Sequence, residues 1–293
     1  MKKILFITLL LNTLIFANMN VVASILPEEA FIKAIGGEKV HVSVMVLPGN
    51  SPHTYEPKPS QMKSIASSTL YFSVDVEFEK VWLPKFREFN PKMKVVDLSK
   101  GIVKRMMAEP HASMHNDTHE AGGHHGGKDP HIWTTPANVK VMAEHIYRVL
   151  SSEDPSNAPY YKQNYQKFLK KIEETDAGIR KRLSTLPKGT RFMVFHPSWG
   201  YFADAYGLVQ LPVEVAGKEP KPKELVSLIK EARKEHVKAI FTQPEFSDTI
   251  AQVMAKELRI KVVKVTPLSP DWSETLLKIA DAIAAPESQN GKD

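Results

Sequence analysis

Two apolar patterns alternate along this chain. Short runs rich in Val, Ile and Phe read as buried strands: VVASI (21–25), HVSVMVL (41–47), LYFSV (70–74) and KVVDL (94–98) in the first half. FMVFH (192–196), LVQLPVEV (208–215), AIFT (239–242) and KVVKV (261–265) follow in the second. Between them lie segments of helical period. EEAFIKAI (28–35) is closed by Gly36 and Gly37, Pro59 opens a helix to about Ser68, and YFADAYG (201–207) ends on a glycine. Pro222 opens a helix to about His236, another lies near Asp248–Leu258, and a last helix closes the chain. Strands alternating with helices predict open, mostly parallel α/β sheets.

The tetrapeptide EPKP occurs at 56–59 and again at 219–222, each time after a strand and a loop and before a helix. Its matching place in two βα series predicts a duplicated lobe. Between the halves, Tyr165, Phe168, Leu169, Ile172, Ile179, Leu183 and Leu186 recur at helical spacing. From Pro159 to Leu186 such a helix would run roughly 40 Å at 1.5 Å per residue, enough to cross from one lobe to the other. The expected fold class is therefore α/β, two lobes joined by one long backbone helix. The expected segments are a signal peptide (1–17), an N-terminal lobe (18–155) with a histidine-rich loop (109–128), a linking helix (156–187) and a C-terminal lobe (188–293).

The signal-peptide reading rests on MKKILFITLLLNTLIFA. Lys2 and Lys3 precede a short apolar stretch, Ile4 to Phe16, and Ala17 offers a small residue for cleavage. That stretch is shorter than the roughly 20 residues a membrane span needs. The chain has no cysteine, so no disulfide, no thiolate for a metal and no thiol for a lipid anchor is expected. The mature protein is thus expected to be free in the periplasm as a monomer. The net charge of +6 is spread among interspersed acids and bases without a basic stripe, which argues against nucleic-acid binding.

Six of the eleven histidines fall within residues 109–133. His111, His115, His119, His124 and His125 lie among glycine pairs with little to bury. Imidazoles there can bind zinc, copper or nickel, at the cost of ordering the segment each time, which predicts weak accessory sites. His131 differs. It sits in DPHIWTTP between Pro130 and Trp133, just before a helix opened by Pro136 with Val139, Met142, Ile146, Val149 and Leu150 on one face. His53 lies past the strand ending at Leu47, and His196 at the end of FMVF. Ligands in open α/β sheets bind beyond the carboxyl ends of strands, so these three can converge on one ion. Their spacing matches no short metal motif. His41, His145 and His236 read as surface or packing residues.

Taken together in order, PGNSPHTYEPKPSQ, DPHIWTTPANV, FHPSWGYFADAYGL, QPEFSD and VVKVTPLSPDW resemble the zinc/manganese solute-binding proteins of ABC importers, over essentially the whole mature chain. The histidine-rich insert before DPHIW is similar to that of the zinc-uptake branch. The resemblance implies two α/β lobes joined by a long helix, a metal between them, and His53, His131 and His196 as its three histidine ligands. It also implies a membrane permease as partner. The chain departs from the pattern at Thr266, where manganese members and several zinc members carry an aspartate.

These readings converge on a non-enzymatic protein that captures Zn²⁺ and delivers it to an ABC permease, since nitrogen-rich sites favour zinc over manganese. The alternative is a secreted three-histidine zinc hydrolase. No HExxH motif is present, and no catalytic residue is assigned. A water is the expected fourth ligand, with Glu56, Glu245, Thr266 and Asp271 as candidates for that position or for support of it.

Overall fold

The computed structural model describes residues 18–108, 127–215, 218–244, 246 and 248–285. The signal segment, the five histidines from His111 to His125, and Glu245 lie outside them.

The first half folds as β1 (Met19–Ala23), α1 (Leu26–Gly36), β2 (Val40–Val44), α2 (Pro59–Ser67), β3 (Leu70–Ser73), α3 (Glu77–Phe89), β4 (Lys94–Asp97) and α4 (Pro136–Glu153). Then comes α5 (Ala158–Leu183). The second half is β5 (Arg191–Val194), α6 (Gly200–Tyr206), β6 (Val209–Pro212), α7 (Pro222–Lys234), β7 (Ala239–Thr242), α8 (Thr249–Leu258), β8 (Lys261–Lys264) and α9 (Trp272–Ala284). The two four-stranded sheets have the orders β2-β1-β3-β4 and β6-β5-β7-β8, and every pairing is parallel. The order is the same in both once the strands are renumbered within each half. The EPKP repeats occupy equivalent places. Pro59 and Pro222 open α2 and α7, and Gln61 and Glu224 each reach back to the backbone N–H of the lysine before that proline.

Several elements differ from the sequence reading, among them β2, which stops at Val44 rather than Leu47. Helix α3 was not foreseen, because Pro84 stands inside it, although Phe78, Trp82, Phe86 and Phe89 recur at helical spacing. The strand read from LVQLPVEV stops at Pro212, although beyond it the Val213 N–H still donates to the Val194 carbonyl at 2.8 Å. The long helix ends at Leu183 rather than Leu186, and the chain closes with a turn from Leu186 N–H to Leu183 C=O.

Helix α5 runs about 39 Å at 1.5 Å per residue over its 26 residues. Tyr161, Ile172, Thr175, Ile179 and Leu183 form its buried stripe. It packs on α1 and α4 of the first lobe and on α9 of the second. Close approach is needed at Gly178, where a Cβ would stand 2.9 Å from Leu277 Cδ2. Thr175 and Ser273 hydroxyls share a 2.6 Å hydrogen bond across the same contact. Phe31 of α1 meets Phe168 of α5 and the edge of Trp272 of α9, so one apolar cluster runs through both halves. A second cluster, around Met193, Leu211, Val213 and Ile240, fills the outer side of the second sheet.

Two glutamates are buried where β1 and β3 end. Glu28 Oε2 accepts from the Ser24 and Ile25 N–H groups at the start of α1. Glu79 accepts from the Val74 and Asp75 N–H groups at the start of α3 and from the Ser24 hydroxyl. Burial, reinforced by Glu79 nearby, pushes the Glu28 carboxyl well above its ordinary range. Burial also pushes Glu79 up to about 7. A folded-state value above the unfolded one means that the folded state holds a proton the unfolded state has lost, so stability falls as pH rises through that window. Glu28→Gln keeps the accepting oxygen and places its amide at Oε1, which has no hydrogen-bond partner among the described residues. The variant should therefore gain on wild type as pH rises above the unfolded value near 4.5, by up to about 1.4 kcal/mol per pH unit while folded Glu28 keeps its proton. Melting temperatures from pH 5 to pH 8 test this, and a constant difference would refute it.

Candidate metal centre

His53, His131 and His196 each sit beyond the carboxyl end of a parallel strand: on the loop after β2, in the turn leading into α4, and two residues past β5. One ring nitrogen from each lies within 4.8 Å of the others. Among the described residues, theirs is the one such grouping of three or more histidines or carboxylates. Zn–N bonds of about 2.0–2.1 Å in a tetrahedron need nitrogens roughly 3.4 Å apart, so an ion shared by all three would draw them together by up to about 1.4 Å.

Each imidazole is fixed from behind by a carboxylate. His53 Nδ1 meets Glu77 Oε2 at 2.6 Å, His131 Nδ1 meets Asp129 Oδ1 at 2.8 Å, and His196 Nδ1 meets Glu214 Oε1 at 2.9 Å. A carboxylate on Nδ1 holds the proton there and turns the Nε2 lone pair outward, the arrangement found behind metal-bound histidines. His196 Nε2 is buried and has no hydrogen-bond partner among the described residues, as a nitrogen kept for a ligand requires. His196 is stacked on Phe246 with centroids 5.5 Å apart, and His131 leans on Trp133 at 5.4 Å. His53 is the exposed member, with about a third of its side chain accessible.

His131 is buried, and burial pushes its imidazole below the ordinary value. The Asp129 carboxylate works against that shift, while His196 and His53 add to it. The result is a neutral ring, the form that binds metal. Burial alone would raise the Asp129 carboxyl, but hydrogen bonds from His131 and Arg105 outweigh it and hold the group below its usual range.

The three histidines line one small cavity together with Ser51, Pro52, Val76, Gln243, Pro267 and Leu268. Gln243 is buried. Its Nε2 donates to the Ser198 hydroxyl at 2.6 Å, and its Oε1 has no partner among the described residues. Among the described residues the lining holds no carboxylate of its own. Glu56 is exposed and does not join the trio. Asp271 is exposed at the start of α9, in a separate cleft against α1 and α5. Thr266 borders a neighbouring cleft beside Leu47 and Pro48, and its hydroxyl accepts from the Leu268 N–H at 3.1 Å. Of the last motif, Pro267 and Leu268 face the histidines. His41 and His236 are exposed, and His145 meets the Asp97 carbonyl, so none of these joins the group.

The sequence reading missed Glu77 and Glu214 and passed over Asp129. Three carboxylates, Glu77, Asp129 and Glu214, stand directly behind the histidines.

The comparisons agree with this fold. Residues 21–285 match the family model described as ZnuA, zinc-uptake complex component A, periplasmic. A ZnuA deletion mutant solved with zinc bound superposes with a TM-score of 0.81 at 36% identity, over 94% of this chain and all of that one. The high-affinity zinc uptake system protein ZnuA of Bacillus subtilis is 27% identical over 83% of this chain and 76% of its own length. The zinc-binding lipoprotein AdcA of Streptococcus pneumoniae is 26% identical over 85% of this chain, which spans about half the length of that relative. The chain thus belongs to the ZnuA family of zinc-uptake solute-binding proteins.

Proposed function

We propose that this protein captures Zn²⁺ with His53, His131 and His196 and delivers it to the membrane permease of an ABC importer. The observation that carries this reading is the trio itself: three imidazoles drawn from both halves of the molecule, each oriented by a carboxylate, with ligand atoms within 4.8 Å. Nitrogen donors suit zinc better than manganese, which favours oxygen. The names of the relatives support the same metal. A water completes the tetrahedron, hydrogen-bonded to Gln243 Oε1, the buried acceptor in the cavity wall.

The protein is not an enzyme in this reading. A three-histidine hydrolase needs a general base beside the metal-bound water, and among the described residues the cavity lining offers an amide in place of a carboxylate. We place the mature protein in the periplasm as a monomer without a lipid. Its sequence has no cysteine to acylate, although relatives named AdcA include a lipoprotein. No helix among the described residues is long and apolar enough to cross a membrane. His111, His115, His119, His124 and His125 act as weak accessory ligands.

Elemental analysis and chelator-competition titration of the mature protein test the reading. One tightly bound zinc is expected, with weaker zinc beyond it. Deleting residues 110–127 should remove the weak binding and keep the tight ion. Loss of the tight ion in that deletion would move the site to the histidine-rich run, and tighter binding of manganese than of zinc would overturn the choice of metal.

A further inference from the structure

Arg105 joins three parts of the molecule that the zinc reading alone does not connect. It stands at the foot of a short antiparallel stem, in which Asp129 N–H donates to the Arg105 carbonyl at 2.9 Å and Met106 bridges Lys128. Its side chain reaches two carboxylates. The terminal nitrogen donates to Asp129 Oδ2 at 3.2 Å, and Nε donates to Asp204 Oδ2 at 2.8 Å. Asp129 is completely buried, and its other oxygen accepts from both the N–H and the Nδ1 of His131. Asp204 lies on α6, in the opposite half, on the helix that follows His196. Tyr201 of the same helix donates to the Asp129 carbonyl at 2.7 Å and accepts from the Arg105 N–H.

The seat is tightly built. A Cβ on Gly200, at the start of α6, would fall 1.7 Å from the Arg105 terminal nitrogen and 2.9 Å from Asp129 Oδ2. Glycine at this place lets the guanidinium lie between the two carboxylates. Arg suits the position because its planar fork donates in two fixed directions, whereas Lys offers a single point charge.

We propose that Arg105 is a positioning residue for zinc retention. It holds Asp129, and through it His131, in register with the C-terminal half that supplies His196. The clamp sets the distance between ligands from the two halves, so breaking it speeds zinc loss. The proposal rests on the zinc reading above, and wild type titrated alongside separates the two: absence of a tight zinc in wild type would refute that reading before Arg105 is considered.

The test measures zinc affinity and dissociation rate by chelator competition in Arg105→Gln, Arg105→Lys, Asp204→Asn, Asp129→Asn and the Arg105→Gln/Asp129→Asn double variant. Loss of a group orienting a ligand typically weakens metal binding about 10–100-fold. Arg105→Gln should fall in that range, with dissociation accelerated at least about tenfold and one tight site per molecule retained. Arg105→Lys, which can satisfy one carboxylate at a time, should be intermediate, and Asp204→Asn milder than Arg105→Gln. In the double variant the two losses should not multiply, because the arginine acts through the aspartate. A merely structural role would lower the folded fraction, and so the number of sites, without changing the affinity of those that remain. Gly200→Ala gives an independent check: it leaves Arg105 in the sequence but crowds it from its seat, and should also accelerate release. Wild-type affinity and release rate in Arg105→Gln, or effects that multiply with Asp129→Asn, would overturn the proposal.

Discussion

His131→Ala should abolish the tight zinc phase while leaving a folded protein. Apparent binding energies of structural zinc sites, about 10–16 kcal/mol over four ligands, amount to roughly 2.5–4 kcal/mol for each. One lost imidazole is therefore expected to weaken zinc about 100- to 1000-fold. His131 should be the most damaging of the three to lose. It is buried, its ring is fixed by Asp129, and burial keeps it neutral, so protons compete for it less than for an ordinary imidazole. His53 is about a third exposed and sits on the loop after β2, so a water can replace it at lower cost. The expected order of loss is His131, then His196, then His53. The Asp129 carboxylate still accepts from the residue-131 N–H and from Arg105 in the alanine variant, which limits the damage to stability. Chelator competition, with circular dichroism as a folding control, gives the order directly. Survival of the tight phase in two of the three alanine variants would remove the assignment.

The strands and the proline-opened helices were legible because their signals are local, whereas His53, His131 and His196 were grouped by their places near strand ends and by the family's ordered motifs. A run such as AIFT, or a proline before an apolar period, carries its meaning within a few residues. The carboxylates behind the histidines were not, and the reason lies in topology. Glu214 is 18 residues from His196, yet the two are neighbours because β5 and β6 pair in parallel with Val194 opposite Pro212. Two residues further along each strand stand His196 and Glu214. Given strand order and register, that pair was deducible; without them, Glu214 was one acid among many. Glu77 was hidden for a related reason: it opens α3, the helix that Pro84 masks. Asp129 was in plain view in DPHIW. Its signal is a carboxylate two residues before a histidine, with a proline between to fix the turn, and it was read as flanking sequence. Thr266 is the opposite case. Its place in the motif drew attention to its side chain, but the hydroxyl is engaged with its own turn.

Trp133→Ala should cause the largest loss of stability of any single change considered. Trp133 lies in a short turn immediately after His131, 1% exposed, against the cavity that holds the histidines. Its Nε1 donates to the Pro267 carbonyl at 2.7 Å, and its own carbonyl accepts from Trp272 Nε1 at 2.6 Å. Trp272 in turn lays its ring against Phe31. The indole thus links the turn carrying a proposed zinc ligand to the loop after β8, while the Trp133 backbone carbonyl ties the same turn, through Trp272, to α9 and α1. Truncating a buried Trp to Ala costs about 3–5 kcal/mol in lost contacts and residual cavity. At roughly 2–4 °C per kcal/mol, the melting temperature of the metal-free protein should drop on the order of 10 °C. Trp133→Phe separates the two contributions. It keeps most of the buried ring and deletes the N–H, leaving the Pro267 carbonyl without this donor at a cost of about 1–3 kcal/mol. Zinc binding should weaken in both variants, more in Ala, because the turn that presents His131 loses its anchor to the second half. Thermal unfolding followed by circular dichroism decides the matter. A metal-free Trp133→Ala protein melting within 2 °C of wild type would mean that the indole fills space without tying the halves together. A drop confined to Ala, with Phe like wild type, would assign the effect to packing and leave the hydrogen bond to Pro267 without a measurable share.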